Sequence, residues 1–211
     1  MRGLYAVTPE CPDTASLLRA VGAALAGGAQ LVQYRSKLSD AELRLEQAVA
    51  LQALCRRHGV SLIVNDSLEL AMGSGADGVH LGRDDAPAGT ARHVLGRAKI
   101  VGVSCYDRLD LAREAEAAGA DYVAFGSFFP SRIKPHAPCP PVDLIARARR
   151  ALRLPIAAIG GIAHENAEPL IAAGVDMIAV INGLFGAPDV ERAARDLAGL
   201  FEKEASIDEE P

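Results

Sequence analysis

Tryptophan is absent from this 211-residue sequence, and aromatic residues make up only 4% of it. A core of that kind cannot be built on stacked rings. Half of the residues are apolar, so it must be packed from Ala, Val, Ile and Leu, which suits helices wrapped around buried parallel strands. Cysteine is sparse too: Cys11, Cys55, Cys105 and Cys139 stand apart with no C-x-x-C spacing, which argues against a zinc site and a disulfide framework and for a reducing compartment. No apolar run reaches membrane-spanning length, and Met1–Val7 leads directly into a strand-like run. The expectation is a soluble, cytoplasmic protein with no membrane partner.

Charge of one sign is also scarce in the body of the chain. Net charge is −5, but the last ten residues hold five acids and one Lys, which leaves −1 for residues 1–201. No basic cluster could neutralise a phosphate backbone, so nucleic acid is not an expected partner. We expect one domain over residues 1–201 and an acidic, disordered tail over 202–211.

What is present is a rhythm of short Val/Ile-rich runs alternating with longer stretches of helical periodicity. The runs are Leu4–Val7, Leu31–Tyr34, Leu62–Asn65, Gly78–Leu81, Ile100–Ser104, Tyr122–Phe125, Ile156–Ile159 and Met177–Val180. The helical stretches are Thr14–Ala26, Asp40–Arg57, Ser67–Gly73, Ala88–Leu95, Leu109–Ala118, Val142–Leu152, Glu165–Ala173 and Val190–Phe201. Eight of each is the count of a (β/α)₈ TIM barrel. A weak repeat agrees: Gly28-Ala29-Gln30, Gly75-Ala76-Asp77, Gly119-Ala120-Asp121 and Gly174-Val175-Asp176 each close a helix and open an even-numbered strand.

In such a barrel the chemistry sits where strands end at their carboxyl side. After the second run, Gln33, Arg35 and Lys37 alternate, so all three share one side of an extended segment, with cations suited to a polyphosphate; a solvated charged loop is the competing reading. Asp66 follows the third run, and Asp84 and Asp85 the fourth. Carboxylates there could hold Mg²⁺, or could merely cap the helices that follow, since Asp66-x-x-Glu69 fits a capping box. Ser104 ends the fifth run and is either a ligand or a buried, satisfied hydroxyl; Cys105 reads as a small apolar residue. The long loop from Gly126 to Pro141 carries Ser131, Arg132 and Lys134 and reads as a substrate-covering segment, with His136 a loop histidine. Gly160-Gly161 and Ile181-Asn182-Gly183 follow the last two runs, where this fold binds phosphate or needs tight turns.

The order and spacing of these motifs resemble those of the thiamine-phosphate synthase family. The shared pattern is Gln-x-Arg-x-Lys, Asn-Asp, Gly-Ala-Asp-Gly-Val-His-Leu-Gly with an Asp three beyond it, Gly-Val-Ser, Phe-Pro-Ser-x-x-Lys and Ile-Gly-Gly-Ile. The resemblance implies joining of 4-amino-5-hydroxymethyl-2-methylpyrimidine diphosphate to a hydroxyethylthiazole phosphate with loss of diphosphate. It implies that Gln33, Arg35, Lys37, Asn65 and Ser104 hold the first substrate, and that Asp66 and Asp85 rather than Asp84 hold Mg²⁺. Ser131 and Lys134 would cover the reacting centre, with Arg132 and Ile133 beside them. Gly161 and the backbone at Ile181 and Asn182 would take the thiazole phosphate, and Tyr34 and Ser36 are counted among the substrate-binding residues. Ile133 stands where the family pattern has Thr, and Asn182 where it often has Ser. Two other readings remain: a thiazole-phosphate isomerase relative, which should lack the cation cluster and paired carboxylates, and a catalytically silent phosphate-binding barrel. The architecture leaves a homodimer open.

Overall fold

The computed structural model describes residues 1–130 and 139–207. Eight parallel strands close into a barrel in sequence order: β1 (Gly3–Val7), β2 (Leu31–Tyr34), β3 (Ser61–Asn65), β4 (Gly78–Leu81), β5 (Ile100–Tyr106), β6 (Tyr122–Gly126), β7 (Ile156–Ile159) and β8 (Met177–Val180), the last pairing with β1. The helices between them are α1 (Thr14–Ala26), α2 (Ala41–Arg57), α3 (Leu68–Ser74), α4 (Ala88–Leu95), α5 (Leu109–Ala117), α6 (Asp143–Ala151) and α7 (His164–Ala172). A short α8 (Asn182–Phe185) and a long α9 (Val190–Ile207) follow β8.

Strand side chains alternate between two separate cores. Tyr5, Val7, Leu31, Ile63, Tyr122, Ala124, Ala157, Met177 and Ala179 fill the barrel interior. Their neighbours Leu4, Ala6, Val32, Leu62, Val64, Val79 and Val101 point outward, where small Ala residues of the helices pack on them. That division explains the apolar strands and the Ala-rich helices. Among the described residues no helix is long and apolar enough to cross a membrane.

The Gly-x-Asp repeat turns out to be a fastening at the amino end. Carboxylates of Asp77, Asp121 and Asp176 accept from amides at the start of the preceding strand, Leu62 N (2.9 Å), Val101 N (2.7 Å) and Ile156 N (2.7 Å). Arg92 and Arg149 close the last two. Arg149 donates to Gly174 O (2.9 Å) and Asp176 Oδ1 (2.6 Å), and Arg92 donates likewise to Gly119 O (3.0 Å) and pairs with Asp121. The first copy has Gln30 in the acidic position; its amide donates to Leu4 O (2.8 Å), and its side chain donates to Gly28 O (3.3 Å) within the copy itself.

Two elements depart from expectation. The α8 turn was unforeseen because four residues containing Gly183 carry no readable periodicity. Helix α9 runs to Ile207, past the expected end at Phe201. Glu202 to Ala205 are strong helix formers, and they prolong the helix beyond its apolar face.

Candidate active site

The carboxyl ends of the strands surround a cavity of about 710 Å³, within the range of small-molecule sites. Strand period places Gln33, Arg35 and Lys37 on its wall, as the alternation in sequence predicts. Tyr34, of opposite parity, faces the helices, and its hydroxyl donates to Gln47 Oε1 on α2 (2.7 Å). Ser36 also lies off the cavity wall, its hydroxyl 3.4 Å from Glu10 Oε1. Neither side chain lines the cavity, although both were expected to bind substrate. The segment after β2 is itself braced from β1: Arg35 N donates to Thr8 Oγ1 (2.9 Å), and Lys37 N donates to the Glu10 carboxylate (2.9 Å). Neither Thr8 nor Glu10 was singled out from sequence, because their partners lie a full βα unit away.

The capping readings of the acids fail. Ser67, not Asp66, caps α3, accepting from Leu70 N at 3.1 Å, and the residue before α4 is Pro87, with no side-chain cap. Asp66 adopts a left-handed backbone (φ 64°) that turns it away from the helix and toward Asp85. Removal from water, then the facing Asp85, raises the Asp66 pKa to about 6, against the pull of Arg35 and Asn65. Asp85 Oδ2 also accepts from Gly82 N (2.6 Å). Asp84 lines the cavity, but Asp85 is the acid that meets Asp66. Two converging carboxylates beside an open cavity fit Mg²⁺, which takes one or two carboxylates and leaves room for substrate oxygens. Among the described residues no third acid, His or Cys joins them into a larger metal cluster.

Opposite these acids, Gly160, Gly161, Ile181, Asn182 and Gly183 form the wall expected to take phosphate. The glycines have a further reason. A Cβ on Gly160 would lie 1.9 Å from Ser127 Oγ, and one on Gly161 would lie 2.5 Å from Pro130 O. The turn therefore packs against the start of the segment after β6, and Phe129 N donates to Gly160 O (3.0 Å). Asn166 on α7 reaches back to steady it, donating to Gly161 O (3.0 Å) and accepting from Ala163 N (2.9 Å). Ser131, Arg132, Ile133 and Lys134, and His136 with them, lie outside the described residues.

The floor holds what the sequence reading missed. Tyr5, Tyr122 and His80 join Gln33 to Ser104 through buried hydrogen bonds, and Asn65 stands above them on the wall. Burial lowers the His80 pKa to about 4, against the field of Asp85, so the ring is neutral at pH 7. His80 stood inside the quoted Gly-Val-His-Leu-Gly motif, which was the available signal. Tyr5 and Tyr122 read only as core. At the rim, Arg83 lies over the Tyr106 ring (4.6 Å to its centroid).

Comparison with known proteins agrees with this geometry. The family model for thiamine monophosphate synthase matches residues 4–184. A thiamine-phosphate synthase of Thiobacillus denitrificans is 61% identical over 202 residues, covering 96% of each chain, and one of Thioalkalivibrio sulfidiphilus is 54% identical over 203 residues with the same coverage. The solved thiamine phosphate pyrophosphorylase of Pyrococcus furiosus superposes with a TM-score of 0.85 at 34% identity, covering 95% of this chain and 96% of that one. A match that runs from β1 into α8 and includes both walls of the cavity means that the chain belongs to the thiamine monophosphate synthase family, transferases of thiamine biosynthesis.

Proposed function

We propose that the chain joins 4-amino-5-hydroxymethyl-2-methylpyrimidine diphosphate to a hydroxyethylthiazole phosphate, giving thiamine phosphate and diphosphate in the cytoplasm. The observation that carries this reading is one cavity with two cations, Arg35 and Lys37, and the facing acids Asp66 and Asp85 on one side, and the glycine-rich wall on the other. The C–O bond at the pyrimidine methylene breaks and its electron pair leaves with diphosphate. The ring amino group stabilises the cation, and the thiazole nitrogen lone pair forms the new C–N bond.

Such a reaction needs positioning and charge neutralisation more than proton transfer. Arg35 and Lys37, with Lys134 from the segment after β6, neutralise the departing diphosphate. Gln33, Asn65 and Ser104 orient the pyrimidine diphosphate. Gly161 and the backbone at Ile181 and Asn182 hold the thiazole phosphate in line. Asp66 and Asp85 would hold Mg²⁺, which supplies further charge neutralisation at the diphosphate when bound. The resemblance also assigns Ser131, Arg132 and Ile133 to substrate binding; they lie outside the described residues.

The test is thiamine phosphate formation by purified protein given both substrates, with Mg²⁺ and with EDTA. Product that depends on Mg²⁺ is expected. Binding of both substrates without product under either condition would overturn the reading.

A further inference from the structure

The reaction as proposed uses no acid, base or nucleophile from the protein, yet the barrel interior buries four polar side chains: Tyr122 (0% exposed), Tyr5 (1%), Gln33 (4%) and His80 (7%). Burying hydroxyls and an imidazole is costly unless every group is satisfied, and Ile63, Met177 and Ala179 fill the same interior without that cost. The backbone also gives way to one of them. A Cβ on Gly102 would lie 2.0 Å from Tyr122 Cζ, so β5 carries glycine where the tyrosine ring crosses. These groups form one continuous path: Gln33 Nε2 to Tyr5 Oη (2.6 Å), Tyr5 Oη to Tyr122 Oη (2.7 Å), Tyr122 Oη to His80 Nδ1 (2.9 Å), and His80 Nε2 to Ser104 Oγ (2.8 Å).

We propose that Tyr5, Tyr122 and His80 are positioning residues whose hydrogen bonds run in one direction, fixing the Ser104 hydroxyl as a donor into the cavity. Proton bookkeeping sets the direction. The Gln33 amide donates to Tyr5, so the Tyr5 hydroxyl has its own hydrogen left and passes it to Tyr122; the reverse would leave that hydrogen without an acceptor in the chain. Tyr122 in turn donates to His80 Nδ1. A neutral imidazole has one N–H, so it must sit on Nε2 and point at Ser104 Oγ. Ser104 accepts there, and its remaining hydrogen is the one the chain does not use. It faces the cavity, where an anionic diphosphate oxygen is its natural acceptor. Without the chain, the same hydroxyl could instead donate to His80.

This inference rests on the proposed function only for its kinetic consequence. ¹⁵N NMR of histidine-labelled protein, with the His80 signal assigned by its loss in His80→Asn, reads the tautomer directly. The expected wild-type proton is on Nε2. Tyr122→Phe keeps the ring and removes the donor to Nδ1, so a population protonated on Nδ1 should appear. In the same variant kcat should fall about tenfold, the worth of one hydrogen bond, with KM for the pyrimidine diphosphate nearly unchanged. Tyr122→Phe combined with Ser104→Ala should be no slower than Ser104→Ala alone. Tyr5→Phe, one link further off, should show the same pattern more weakly and serves if Tyr122→Phe does not fold. A wild-type proton on Nδ1, or multiplicative losses in the double variant, would overturn the chain. If the wild type makes no thiamine phosphate, the proposed function fails, and the tautomer still decides the direction of the hydrogen bonds.

Discussion

At the amino end of the barrel, Asp77, Asp121 and Asp176 each accept from a strand amide, and Arg92 and Arg149 stand against the last two. At the carboxyl end, Asp66 and Asp85 face one another, and burial together with Asp85 keeps a proton on Asp66 up to about pH 6. One residue type thus serves opposite ends in both senses. Below, each charge has a donor and holds a neighbouring strand in register. Above, like charges are pressed together at a cost in stability that a bound cation would relieve.

The sharpest way to break this contrast is at the mouth. Lys37→Ala and Asp66→Asn should each lower thiamine phosphate formation about a hundredfold or more, with far-UV circular dichroism unchanged. Near-native turnover in either variant would refute their assignment. Asp66→Asn should also raise the melting temperature of metal-free protein at pH 7.5, since it removes the repulsion. Gly160→Ala is next, at about 3 kcal/mol of stability in urea unfolding, because its Cβ meets Ser127 and its φ of +103° suits only glycine.

At the other end, Asp121→Ala strands Val101 N, removes the ion pair to Arg92, and should cost about 2 kcal/mol. Turnover per folded molecule should not change; a large fall in kcat would dissolve the division between the two ends.

A pH series separates them further. Unfolded Asp66 ionises near 3.8 and the folded residue near 6, so the unfolded state sheds its proton first. Metal-free stability should therefore decline as pH rises from about 4 through 6 and then level off. Mg²⁺ requires the ionised form, so its affinity should weaken by about tenfold per unit as pH falls below 6. Affinity flat from pH 7 to 5 by calorimetry would remove Asp66 from the site. The smallest effect is Tyr34→Phe, about 1 kcal/mol from the lost Gln47 bond, with KM for the pyrimidine diphosphate unaltered.

The repeating units were legible because they are local. Strand runs, helix faces and glycine helix ends are written in neighbouring residues, and β2, β4, β7 and β8 have the bounds read from sequence. The alternation Gln33, Arg35, Lys37 was legible for the same reason, since strand period alone puts them on one side. The same parity puts Tyr34 on the helix side, a consequence the sequence reading did not draw when it counted Tyr34 among the binding residues. By itself, then, the sequence determined the eightfold βα unit, favoured its closure into a barrel, and marked the strand ends that bear the site residues. The resemblance already pointed to Asp85 rather than Asp84; only the tertiary structure decided that Ser67 takes the cap and frees Asp66, that Asp121 and Asp176 are fastenings, and that Tyr5, Tyr122 and His80 link Gln33 to Ser104. Each is a contact between different βα units, set by strand register and barrel closure, and no local pattern carries that information.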